Sequence, residues 1–153
     1  MADAKPVPDG RGGAIPYLHV RDAARAIEFY KRAFGAVELE RYVDGSGKVG
    51  HAELKIGEAL FMLSDEFPSR GVHSPQALGG SPVTIHLYVE DVDRLAEQAL
   101  AAGAKVLRPV ADQFYGDRGG KLEDPFGHCW WLATHKEDLT VAELERRVKA
   151  VHE

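Results

Sequence analysis

Apolar and polar positions run in the same order twice along this chain. Residues 16–36 read PYLHVRDAARAIEFYKRAFGA and residues 84–104 read TIHLYVEDVDRLAEQALAAGA. Each copy is an alternating strand, then Val-x-Asp (Val20/Asp22 and Val89/Asp91), an amphipathic helix and a closing Gly-Ala (Gly35-Ala36 and Gly103-Ala104). A spacing of about 70 residues is too long for a solenoid repeat and suits a duplicated half-domain. Asp22 is placed to N-cap a helix over 23–34, whose stripe Ala23, Ala26, Ile27, Tyr30 and Phe34 has helical periodicity. Asp91 is placed to do the same for Val92, Leu95, Ala96, Ala99 and Leu100.

Strand-like segments follow each helix, at 37–43, 48–56 and 59–64 and again at 105–110, 119–123 and 128–134. Turn signals stand at Asp44-Gly45 and at Asp124-Pro125-Phe126-Gly127. Each half therefore reads β-α-β-β-β, an α+β class. The first module spans 14–64, a Pro/Gly/Ser-rich linker 65–82, and the second module 83–135, together one domain over 14–135. Such a long linker often covers a site. A flexible tail is expected over 1–13. The segment 136–153 is expected to hold a final helix, 141–151, with the capping box Thr140…Glu143 and a staple of Leu139 and Leu144. Its stripe Val141, Leu144, Val148 and Val151 is apolar enough to dock on the body or on another subunit, and docking on the body is expected.

Composition narrows the partners. A net charge of −5 with no basic stripe argues against nucleic acid or an anionic membrane surface. No apolar run is long enough to span a bilayer, and the polar N-terminal stretch lacks a signal-peptide core, so a cytoplasmic location is expected. The single cysteine, Cys129, is read as a small buried hydrophobe.

Strand alternation sorts the faces. In the first strand Leu18 and Val20 go to the helix side, leaving Ile15, Tyr17 and His19 opposite. In the third, His51, Glu53 and Lys55 look away from the packing face; in the fifth, Thr84, His86 and Tyr88 do. Of the two tryptophans only one can face away from the helices, and register selects Trp131.

These motifs resemble the vicinal-oxygen-chelate superfamily of glyoxalase I, bleomycin-resistance proteins and extradiol dioxygenases. The resemblance rests on Ala26-Ile27-x-Phe29-Tyr30, Phe34-Gly35-Ala36 and the closing Asp124-Pro125-Phe126-Gly127-His128. The run from Asp112 to His135 looks most like its PhnB-like, glyoxalase-related branch. The resemblance implies two modules pairing into a curled, cup-shaped sheet, and a homodimer. It also implies four metal-ligand positions, which fall on Ile15, Met62, Thr84 and Trp131. None offers the carboxylate or imidazole that a divalent ion needs, so no metal cofactor is expected there.

Two site readings follow. The first is a metal-free small-molecule pocket of Tyr17, Met62, Tyr88 and Trp131 with the polar groups His51, Glu53 and His86. Gln113, Tyr115 and Arg118 lie on a segment expected to fold over its rim; Arg118 either binds an acidic ligand or pairs locally with Asp117. The ligand expected is a small aromatic or acidic compound. Glu53, His51 and His86 are the candidate proton carriers, which leaves catalysis open. The second is a displaced Zn, Ni, Mn or Fe site at His19, His51, Glu53 and His86, which would make the protein a lyase, isomerase or dioxygenase. A structural role, with Trp131 and Met62 filling the cup, is the third possibility. His128, His135 and His152 are read as surface residues, and His73 as a linker residue.

Overall fold

A computed structural model describes residues 3–151. The position of His152 lies outside the described residues. Each half folds as the repeat requires. The first holds β1 (Tyr17–Val20), α1 (Ala23–Phe34), β2 (Val37–Val43), β3 (Val49–Ile56) and β4 (Ala59–Asp65). The second holds β5 (Thr84–Tyr88), α3 (Val92–Ala102), β6 (Lys105–Asp112), β7 (Asp117–Glu123) and β8 (Cys129–His135). The sheet orders are β1-β4-β3-β2 and β5-β8-β7-β6, with β1 parallel to β4 and β5 parallel to β8. The two sheets are not hydrogen-bonded to each other among the described residues.

The helices start and stop where the sequence signals stand. Asp22 and Asp91 accept from the backbone N–H of Arg25 and Arg94, and Gly35 ends α1 in the left-handed conformation. The halves also share a second device. Asp65, ending β4, accepts from Ala23 N at 2.9 Å, and Thr134, near the end of β8, accepts from Val92 N at 3.0 Å. Each therefore satisfies an N–H of the first helical turn that has no partner within its helix.

One core joins the halves. Helices α1 and α3 pack against each other, and Gln98 Nε2 donates to the carbonyls of Arg32 and Ala33. Trp130 of the second half sits fully buried among Tyr30, Phe34 and Phe61 of the first, with ring centroids 4.8–5.7 Å away. Asp124, 3% exposed, collects the polar atoms of this junction. Its Oδ2 accepts from Tyr30 Oη (2.6 Å) and Trp130 Nε1 (3.0 Å), and its Oδ1 accepts from Phe126 N and His128 N. His128 is no free surface residue: its Nε2 lies 3.0 Å from the carbonyl of His19 on β1.

The linker packs on both halves: Glu66 pairs with Arg21 of the first, and the segment around Pro75 packs on the closing turn of the second. It forms a 3-10 turn (Pro68–Arg70) and a short helix α2 (Pro75–Leu78). Gln76 donates to the carbonyl of Pro125, and a Cβ on Gly127 would come within 2.7 Å of Pro75. The last helix, α4 (Val141–Val151), starts at the expected capping hydroxyl of Thr140. Its expected stripe is covered only in part: Leu144 and Val148 are half-buried, Val141 and Val151 stay exposed, and Arg147 pairs with Glu137 and donates to the carbonyl of Phe114. No helix among the described residues is long and apolar enough to cross a membrane.

Asp124→Ala would remove the acceptor of three buried donors, Tyr30 Oη, Trp130 Nε1 and Phe126 N, and is expected to cost about 3 kcal/mol or more of unfolding free energy. Tyr30→Phe is expected to cost only about 1 kcal/mol. Urea unfolding followed by circular dichroism measures both. A small, equal effect for the two would remove Asp124 from the centre of the core.

Candidate functional site

The strand faces turned away from the helices carry the unusual chemistry. In the first half, cross-strand register lines up Tyr17 (β1), Met62 (β4), Glu53 (β3) and Glu40 (β2). Glu40 reaches this row through a bulge. Pairing shifts by one residue between Glu38 and Glu40, so Leu39 is skipped and Glu40 stands opposite Glu53. His51 lies beside them, with Nε2 3.8 Å from a carboxylate oxygen of each glutamate and Nδ1 2.8 Å from Tyr17 Oη.

Glu53 is 1% exposed, an expensive place for a carboxylate without a cation. Arg11, from the N-terminal stretch, supplies one by pairing with its Oε1. This guanidinium holds the Glu53 pKa below the usual carboxylate range, while the neighbouring Glu53 raises that of Glu40. His19 lies outside the cluster: Nδ1 is 3.0 Å from Ser64 Oγ, and burial lowers its pKa.

In the second half the corresponding row is His86 (β5), Trp131 (β8) and Lys121 (β7). The Trp131 indole lies across Gly119; a Cβ there would approach Nε1 to 2.7 Å, so only glycine leaves it room. Further along the same face, the buried Asp117 accepts from Tyr88 Oη (2.9 Å) and lies 2.7 Å from His135 Nδ1. His135 Nε2 is 2.8 Å from Asp138. These carboxylates, Asp117 first, raise the His135 pKa.

The two rows approach each other where the free edges of β1 and β5 face. A groove of about 510 Å³ there is lined by Ile15, Tyr17, Thr84, Ile85, His86 and His128. A second, open groove of about 810 Å³ lies between the β3–β4 turn of the first half (Ile56, Gly57, Glu58 and Ala59) and β5, and takes in His86, Tyr88 and His135. Two buried side-chain polar atoms without a hydrogen-bond partner stand out among the described residues. They are Glu53 Oε2 and Trp131 Nε1, one in each row.

The expected site residues divide accordingly. Tyr17, His51, Glu53 and Met62 form one cluster. His86 and Tyr88, with ring centroids 4.7 Å apart, lie with Trp131 on the other sheet. Of His19, His51, Glu53 and His86, the structure brings His51 and Glu53 together. Ile15 and Thr84 line the groove between the sheets, and Met62 and Trp131 flank it, so the four family metal positions supply alkyl, hydroxyl, thioether and indole groups.

Arg118 takes neither of its expected roles. β7 begins at Asp117, and alternation sends Asp117 and Arg118 to opposite faces. Arg118 therefore pairs with Asp93 of α3 and with Asp112. Gln113 donates to the carbonyls of Ala111 and Gly119, and Tyr115 packs edge-on to Phe114. The sequence reading missed Arg11, Glu40, Lys121, Asp117 and the partners of His135. For Lys121 a signal was present, since it alternates with Gly119 and Glu123 in a strand already recognised.

The paired βαβββ halves and their outer faces define the class of protein, and comparison makes it definite. The profile of the Glyoxalase/Bleomycin resistance protein/Dioxygenase superfamily matches residues 15–132, and the chain belongs to that superfamily. It is 47% identical over 133 residues to an uncharacterized protein of Mycobacterium tuberculosis (strain ATCC 25618 / H37Rv), covering 85% of this chain and 78% of that one. Among solved structures, it resembles a gene product of Arabidopsis thaliana (31% identity, TM-score 0.65, 79% of this chain and 97% of that one). It also resembles TioX from Micromonospora sp. ML1 (26% identity, TM-score 0.64, 84% and 100%).

The His135 contacts give a pH prediction. Folding raises its pKa above the unfolded value of about 6.5, so the stabilisation is complete below that pH and disappears as pH rises through the folded value. The stability difference between the native sequence and His135→Ala is expected to be larger at about pH 5.5 than at about pH 9. Urea midpoints at the two pH values test it, and a difference that grew at high pH would contradict the assignment.

Proposed function

We propose that the protein binds a small aromatic acid on the sheet faces turned away from its helices, and sequesters or processes it without a metal at the four family positions. The observation that carries this reading is the pair of orphaned atoms, Trp131 Nε1 and Glu53 Oε2. A buried polar atom left unpaired costs about 1–3 kcal/mol, and such groups in a folded protein call for a partner. A ligand acceptor would satisfy the indole N–H, and a ligand donor the carboxylate.

Trp131 has Lys121 as its register partner, which suits an acidic end group. Tyr17, His86 and Tyr88 offer aromatic surface along the two grooves between the halves. Glu53 with His51, and His86 beside Trp131, are the groups able to exchange a proton with such a ligand. We infer a homodimer as well, because β2 and β6 leave Val37, Leu39, Tyr42, Val43, Val106 and Leu107 exposed. Sedimentation equilibrium is expected to give twice the chain mass of 16.8 kDa, and a monomer would contradict it.

Titration with 4-hydroxybenzoate and 2-naphthoate, read by tryptophan fluorescence and calorimetry, tests the site. The native sequence is expected to bind with quenching, and Trp131→Phe to lose the quench and weaken binding about tenfold or more. Lys121→Gln is expected to reduce the preference for the acid over its neutral amide. Absence of binding by both acids, or unchanged binding by Trp131→Phe, would overturn the reading.

A further inference from the structure

We infer that Glu40, His51 and Glu53 form a divalent-cation site on the β2–β3 ribbon, and that the Arg11 guanidinium is its resident competitor. The inference goes beyond the small-molecule reading; it shares with that reading the unpaired Glu53 Oε2, which a cation would take in place of a ligand donor, and is tested apart from it. One ligand atom from each of the three side chains lies within 4.8 Å of the others. Two carboxylates and an imidazole make a donor set that suits Zn, Mn, Fe(II), Co or Ni.

Two features lift this cluster above an ordinary acidic patch. The first is Glu53 itself: it is 1% exposed, and Oε2 has no partner although Arg11 already holds Oε1. A buried carboxylate in that state has unused capacity for positive charge. The second is Tyr17. Its hydroxyl lies 2.8 Å from His51 Nδ1, which leaves Nε2 directed at both glutamates. When Nε2 is the ligand, Nδ1–H donates to Tyr17 Oη, the kind of outer hydrogen bond that orients metal-binding histidines. The β-bulge at Leu39 serves the same arrangement, because regular pairing would set Leu39, not Glu40, opposite Glu53.

Arg11 reaches this cluster from outside the sheet. It belongs to no helix or strand, and its neighbours Gly10, Gly12 and Gly13 include two residues at positive φ, a backbone that glycine adopts without strain. A cation entering the trio meets the guanidinium on Glu53, so the tail and the cation exclude each other. Removing Arg11 therefore raises the apparent cation affinity by the reciprocal of the fraction of chains in which Arg11 leaves Glu53 free.

The test uses the full, untagged chain after chelator treatment, titrated with Zn²⁺ and with Mn²⁺ by calorimetry. Arg11→Ala is expected to bind at least about tenfold more tightly than the native sequence. Glu53→Gln and Glu40→Gln are expected to lose binding; Glu40 is exposed, so its variant keeps the fold. Limited trypsin digestion gives a second readout. Mn²⁺ is expected to speed cleavage after Arg11 in the native sequence and to leave that rate unchanged in Glu40→Gln. Equal affinities for the native sequence and Arg11→Ala, undiminished binding by Glu40→Gln, or a cleavage rate indifferent to Mn²⁺ would overturn the inference. Aromatic-acid quenching of Trp131 is measured separately, so failure here leaves the small-molecule reading standing.

Discussion

Asp124 is the constraint on which the rest depends. A carboxylate taken out of water must be met by donors, and here four arrive from both halves: two backbone N–H groups of its own turn, the indole of Trp130 and the phenol of Tyr30. The Tyr30 bond crosses from α1 to the second module, so the turn, the buried tryptophan and the first helix are fixed relative to one another. Burial, together with the adjacent carboxylate, raises the Tyr30 pKa well above its ordinary value, which keeps the phenol a donor. With Trp130 committed to the core, alternation leaves Trp131 no choice but the opposite face.

That division of labour shapes the outer faces. The helix-side faces are close-packed and apolar, with Ala52, Leu54, Leu63 and Leu132 almost wholly buried. The opposite faces hold buried polar atoms that packing does not satisfy, together with aromatic rings and charges of both signs. A surface built for stability alone would avoid both the orphaned indole N–H and the half-satisfied Glu53, since each costs free energy in the folded chain. Their concentration on these faces is the physical ground for placing ligand chemistry there.

Much of the fold was legible in the chain because its signals are local. Asp22, Asp91 and the glycines after each helix bounded α1 and α3, and period-2 alternation sorted Leu18 from Tyr17 and Trp130 from Trp131. The site was less legible because its members meet across strands. Glu40 joins Glu53 only through a bulge, which no composition cue in β2 announces. Arg118 was assigned to a rim because β7 starts two residues before the strand-like run read from the sequence. Arg11 lies 42 residues from Glu53 in a stretch with no periodicity at all. His135 is the exposed residue its sequence suggests, but its ion-pair partner Asp117 becomes a neighbour only once β7 and β8 pair.

The central claim is that the unpaired polar atoms on the outer faces await a ligand, and the two tryptophan indoles let it be tested within one sample. In protein labelled with ¹⁵N at tryptophan, the Trp130 and Trp131 indole N–H resonances, assigned with Trp131→Phe, are followed while a protein-free metabolite extract is added. The account predicts that the Trp131 resonance moves, while that of Trp130, held by Asp124, stays in place. A Trp131 resonance that never responds, or a shift confined to Trp130, would contradict it.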